Sequence, residues 1–198
     1  MNTYTPLPIP PAALRELRER DDSGQPPQPY TAGVDSAFPD SAFPDCVGSL
    51  LRCCLRAAEP GDRVALVSYA PLRRWAAETG ATPGAYVETG PVFVHADACD
   101  VRDGDSDSDG TGTTTGPQPP RTPGYPFARP GAQRLLRRYD ARGHIVGGER
   151  FEVPPGTESV AAKALDAALD AAFAAPEVAL VHVRAVEYGC FQFEVRRP

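Results

Sequence analysis

The chain has 198 residues, with 26 acidic against 20 basic side chains, a formal net charge of −6 and a sequence pI near 5.1. This length favours one compact domain, able to bury roughly two-thirds of its unfolded surface without a disulfide or a metal, and the acidity speaks against nucleic-acid binding. No apolar run reaches the roughly 18 residues of a membrane span, and the start, Met1-Asn-Thr-Tyr-Thr-Pro6, lacks the basic and apolar regions of a signal peptide.

Residues 1–45 read as a proline-rich N-terminal segment with one short helix. Residues 46–198 read as a single α+β domain. The helix is Pro10 to Arg20, with proline in its first turn. Residues 21–45 are polar and proline-rich, and carry a tandem duplication, Ser36-Ala-Phe-Pro-Asp40 then Ser41-Ala-Phe-Pro-Asp45. Two copies of five residues are too few for a repeat architecture and fit a tolerant loop.

Cys46 to Ala58 reads as a second short helix, ended by the turn Glu59-Pro-Gly-Asp62. Arg63 to Tyr69 is apolar and β-branched and predicts a strand. Residues 72–78 suit a helical turn, and Pro91 to Ala96 a second strand. Residues 103–131, rich in Asp, Gly, Thr and Pro, read as a long disordered loop. Leu135–Asp140 and His144–Gly147, around Ala141-Arg-Gly143, give a hairpin signal. Thr157 can cap a helix to about Ala174, with an apolar stripe of Val160, Ala164, Leu165, Ala168, Leu169 and Ala172.

Val178–Val186 and Cys190–Val195 predict a final hairpin around Glu187-Tyr-Gly189. A three-residue loop would pair Val186 with Cys190, Arg184 with Gln192 and His182 with Glu194. One face would then hold Val181, Val183, Phe191, Phe193 and Val195. The other would be polar, with His182, Arg184, Cys190, Gln192 and Glu194, and could floor a site. The expected fold is α+β: an antiparallel sheet of about five or six strands with helices packed on one face.

The five cysteines are Cys46, Cys53, Cys54, Cys99 and Cys190. An odd number without an export signal predicts reduced thiols in a cytoplasm. The basic residues are arginine except for Lys163, which with the many alanines suggests high-GC coding.

Several pieces, in order, resemble a bacterial family known as domain of unknown function 1203. They are Arg52-Cys-Cys-Leu55 with Pro60-Gly-Asp62, Ser68-Tyr-Ala-Pro71, Glu88-Thr-Gly-Pro-Val-Phe-Val-His95 with Cys99, Arg137-Arg-Tyr-Asp140, and Val181-His-Val-Arg184 with Gly189-Cys-Phe191. The resemblance spans about residues 46–196. The family's first piece usually reads Cys-Arg-x-Cys-Leu; here Leu51 stands where its first cysteine would be, and Cys53 is the intervening residue.

Three chemistries are candidates. Cys54, His95, Cys99 and Cys190 could supply four ligands of the kind zinc accepts. Against this stand the lack of a Cys-x-x-Cys knuckle and the adjacency of Cys53 and Cys54, which project differently and rarely share one small ion; buried cysteines also serve as plain apolar fillers. The second is acid–base work, with His95 as acid or base, Tyr139 and Glu88 assisting, and Arg52, Arg138, Arg184 and Cys190 around the substrate. The third is calcium. Asp105-Ser-Asp-Ser-Asp-Gly110 copies half of an EF-hand loop, but position twelve is Gly116 rather than glutamate, so a solvated acidic loop is the better reading.

Nucleotide, serine-hydrolase and metalloprotease motifs are missing. The leading expectation is therefore a cytoplasmic, cofactor-independent enzyme of lyase, isomerase or cyclase type, acting on a small anionic metabolite, for example in secondary metabolism. No nucleic acid or membrane partner is expected, and a homodimer is left open. The rival is a non-catalytic ligand-binding or protein-interaction domain, with or without structural zinc.

Overall fold

The computed structural model describes residues 4–33, 46–99, 125 and 128–197. The fold is α+β, with the elements α1 (Pro11–Glu19), β1 (Gln28–Thr31), β2 (Leu50–Leu51), β3 (Arg56–Ala57), β4 (Arg63–Tyr69), α2 (Pro71–Thr79), β5 (Gly90–His95), β6 (Gln133–Asp140), β7 (Ile145–Glu152), α3 (Glu158–Phe173), β8 (Val178–Ala185) and β9 (Phe191–Arg196). The strands divide between two sheets, of order β1-β4-β5-β2-β3 and β7-β6-β8-β9, rather than lying in one sheet of five or six. The pairings are antiparallel except between β2 and β5, which run parallel at Leu51 and Phe93. The duplicated pentapeptide and the Asp105–Gly110 run lie outside the described residues.

Each sheet is covered because its strands carry apolar side chains that water would otherwise contact. α3 packs Leu165, Leu169, Ala172 and Phe173 against Leu136, Val181, Val183, Phe193 and Val195 of the four-stranded sheet. The stripe is rotated slightly from the expected one: Ala161 and Phe173 are buried, while Val160 is exposed. α2 covers the opposite face of the same sheet, with Leu72, Trp75 and Ala76 on Tyr139 and Leu180. α1 seats Leu14 and Leu17 in the core of the first sheet, beside Leu51, Val64, Val92 and Val94.

Residues 4–33 are built into this body. β1 pairs with β4 along its length, and Leu7 bridges to Glu194 of β9. The polar composition of 21–33 concealed β1, because an edge strand needs little apolar content when one neighbour satisfies its backbone.

The last hairpin keeps one predicted pair and loses another. His182 faces Glu194, but Arg184 faces Phe191, because a bulge lies between Val183 and Arg184. A bulge re-aims the side chains beyond it. Phe191 therefore turns onto the His182 face, where the two rings meet edge-on at 5.2 Å, and it also meets Tyr69 of the first sheet at 5.5 Å. The predicted polar floor is thus the seam between the two sheets. His182 is wholly buried there, and its Nε2 is 3.2 Å from Glu194 Oε2.

The expected helix over 46–58 is instead a strand, a tight turn and a strand. Leu50 and Leu51 pair with Ala57 and Arg56, and the Arg52 amide donates to Phe93 O at 2.8 Å. Leu55 has φ 61°, which no α-helix accommodates. Sheet pairing and burial of two adjacent leucines override a weak local preference for helix.

Candidate metal centre

The turn after β2 and the end of β5 meet at one cluster. Parallel pairing of Leu51 with Phe93 sets residues 53 and 54 beside His95, the last residue of β5. Within the turn, the Leu55 amide donates to Leu51 O at 2.7 Å, and the left-handed Leu55 closes the loop. This curvature lets the neighbouring Cys53 and Cys54 side chains point the same way, which a regular strand would forbid. Four residues beyond His95, Cys99 returns to the same place.

The donor atoms of Cys53, Cys54, His95 and Cys99 all lie within 4.8 Å of one another. Cys53 Sγ is 3.9 Å from Cys54 Sγ and 3.2 Å from His95 Nδ1, and Cys54 Sγ is 3.9 Å from the same nitrogen. Zinc bound tetrahedrally, with Zn–S near 2.3 Å and Zn–N near 2.05 Å, separates its ligands by about 3.8 Å (S to S) and about 3.6 Å (S to N). The cluster is close to that spacing, and these residues could bind a metal. Cys53 and Cys99 are buried, Cys54 and His95 half-buried, and none of the five cysteines is in a disulfide.

The electrostatics fit thiolate ligands. Contact with Cys53 holds the Cys54 thiol far below its ordinary range, and the same contact drives Cys53 up. Cys54 and then Cys99 push the His95 imidazolium up to about 10. Both directions favour a thiolate at Cys54 beside an imidazolium at His95, and a divalent ion binding there would displace protons. Polar hydrogens already face the sulfurs: the His95 amide donates to Cys53 Sγ at 3.3 Å, and Arg56 donates to Cys54.

The cluster differs from the expected ligand set at one position: Cys53 is in it and Cys190 is not. Cys190 lies at the start of the last strand pair, where its thiol faces Tyr188 O at 3.8 Å. The sequence signal for Cys53 was its adjacency to Cys54, dismissed because regular elements separate neighbours; the turn supplies the exception.

Of the expected acid–base residues, Glu88, Tyr139 and Arg184 come together, and His95, Arg52 and Arg138 lie apart from them. The Tyr139 hydroxyl donates to Glu88 Oε2 at 2.5 Å and Arg184 Nη1 donates to the same oxygen at 3.0 Å. Arg137, not Arg138, completes this group by donating to Glu88 Oε1. The physical reason is strand alternation. Arg137 and Tyr139 share a face of β6, and Arg138 points to the other, lying over Gly147. His95 is at the far end of β5 from Glu88, about 23 Å along the chain if extended at roughly 3.3 Å per residue. Arg52 is elsewhere again: its buried guanidinium donates to Phe191 O at 2.9 Å and to Leu50 O, pinning β2 to β9. Burial lowers that guanidinium to about 10.

Among the described residues no helix is long and apolar enough to cross a membrane. No curated protein and no solved structure matches the chain. The family model described as protein of unknown function (DUF1203) matches residues 48–197, and the chain belongs to that family.

Proposed function

We propose that this is a zinc-binding α+β protein, in which Cys53, Cys54, His95 and Cys99 hold one ion that clamps the β2–β3 turn to the end of β5. The observation that carries this reading is the convergence of four zinc-type donor atoms within 4.8 Å of one another. A zinc with four protein ligands has no open position for water or substrate, which is the pattern of a structural site. The reading is therefore a non-catalytic module held by its metal, with its role in binding a ligand or another protein. Reduced thiolate ligands suit a reducing compartment, so the proposal includes a cytoplasmic location.

The acid–base enzyme is the weaker reading on this arrangement. Its base, His95, is engaged by three cysteines, and the Glu88 carboxylate is engaged by Tyr139, Arg184 and Arg137. Elemental analysis of protein purified without a histidine tag tests the proposal. One zinc per chain, lost on Cys54→Ser, is the expected result. Protein that carries no zinc and takes up neither zinc nor cobalt(II) from solution would overturn it.

A further inference from the structure

We infer that Asp62 is a positioning residue for the metal, its carboxylate holding the His95 ring with Nδ1 toward the thiols. This rests on the zinc reading and deepens it. The two ring nitrogens face different partners: Nδ1 lies 3.2 Å from Cys53 Sγ, and Nε2 lies 3.8 Å from Asp62 Oδ2. When a metal takes Nδ1, the neutral imidazole must carry its proton on Nε2. The acceptor facing that proton is Asp62. At 3.8 Å the pair is at ion-pair rather than hydrogen-bond distance. Such carboxylate partners fix the tautomer and raise the basicity of a histidine ligand.

The chain holds Asp62 in place for this. It ends the turn Glu59-Pro-Gly-Asp62 directly before β4, and β4 pairs Val64 with His95. Asp62 Oδ2 accepts the Glu59 amide at 2.8 Å, the Asp62 amide donates to Glu59 O at 3.1 Å, and Asp62 O accepts the Ala32 amide at 2.9 Å. The carboxylate is thus fixed by backbone before any metal arrives. Its charge also acts on Arg56, the guanidinium that reaches Cys54. Arg63, the next residue, is engaged elsewhere, with Asp97 at 3.0 Å.

The test uses the full chain and zinc itself. Asp62→Asn keeps an oxygen for the Glu59 amide, so the turn survives, but loses the carboxylate charge. Zinc affinity is measured by competition with a chromophoric chelator, and the cobalt(II) absorption spectrum is recorded. Wild type is expected to bind one ion. Asp62→Asn is expected to bind one ion about 10–100-fold more weakly, with shifted cobalt bands and an unchanged unfolding midpoint of the metal-free protein. Asp97→Asn removes the same charge from an exposed neighbour and should stay within about twofold of wild type. Equal affinity in Asp62→Asn and wild type would overturn the inference, as would an equal loss in both variants. A wild type that binds neither ion would instead sink the zinc reading itself.

Discussion

The Tyr139 hydroxyl donates to Glu88 Oε2 at 2.5 Å, and this contact fastens the segment ahead of β5 to β6, an inner strand of the four-stranded sheet. Tyr139 is wholly buried, whereas Glu88 arrives from a chain segment whose neighbours Tyr86 and Val87 are exposed. Burial and then the Glu88 carboxylate push the phenol well above its ordinary range, so it stays a donor at all working pH values. Tyr139→Phe keeps the ring against Leu72 and Trp75 and removes only the donor. The expected cost is about 1–3 kcal/mol, since hydrogen bonds to charged groups exceed neutral ones. Urea unfolding checks it, and a variant as stable as wild type would show that the two arginines alone satisfy Glu88.

The same carboxylate sets a pH dependence. Burial alone would raise Glu88, but the Tyr139 hydroxyl, Arg184 and Arg137 together outweigh it and hold the group below its ordinary value. A carboxylate depressed in the folded state contributes stability above its unfolded pKa of about 4.3, and that contribution fades as pH falls through the folded value. Wild type is therefore expected to lose its stability advantage over Glu88→Gln as pH drops below about 4. Unfolding free energies of both proteins between pH 6 and pH 3 measure this. A gap that stays constant over that range would mean Glu88 is not held below its ordinary value.

Metal binding should separate the cysteines sharply. Cys53→Ser removes a buried donor at the tip of the β2–β3 turn, and is expected to lower zinc content well below one per chain. Cys190→Ser changes a thiol that faces Tyr188 O, and is expected to leave zinc content unchanged. Chelation of wild type should lower its thermal midpoint, because a ligand bound only by the folded state stabilises that state by mass action. Zinc loss in Cys190→Ser with retention in Cys53→Ser would reverse the ligand assignment.

The elements with clean periodicity were legible in the sequence. β4 runs over the residues its β-branched pattern predicts, and α3 starts after Thr157 and stops before Pro176. What stayed hidden depended on contacts distant in the chain. β2 exists because Leu51 meets Phe93, and Cys53 becomes a candidate ligand because a left-handed Leu55 curls the turn. His95 and Cys99 were legible as one site from their spacing. That Glu88 belongs to a different cluster was not, since a strand of six residues reads the same whether its ends share a site or mark opposite edges. The division of the described strands between two sheets was equally hidden. It rests on which strand pairs with which, and the bulge that turns Phe191 into the seam has no composition of its own.

At the turn residue Gly143, space and backbone both demand glycine. It closes the β6–β7 hairpin with φ 85°, and a Cβ there would meet Pro83 Cβ at 2.9 Å and Trp75 at 3.4 Å. Asp140 organises the rest of the loop by accepting the amides of Arg142 and His144 at 2.9 Å each. Pro83 and Trp75 are not flexible side chains that can step aside, so Gly143→Ala combines a strained φ with overpacking beneath α2. The expected loss is about 2–5 kcal/mol, from roughly 1–2 for the left-handed conformation and 1–3 for the contact. Gly24, in a turn of similar φ with nothing within 4 Å of its Cβ position, serves as the control and should lose only the conformational part. Urea unfolding of the two variants reads the difference. Equal losses would mean that the Pro83 and Trp75 contact relaxes freely and that α2 is not tightly seated on the hairpin.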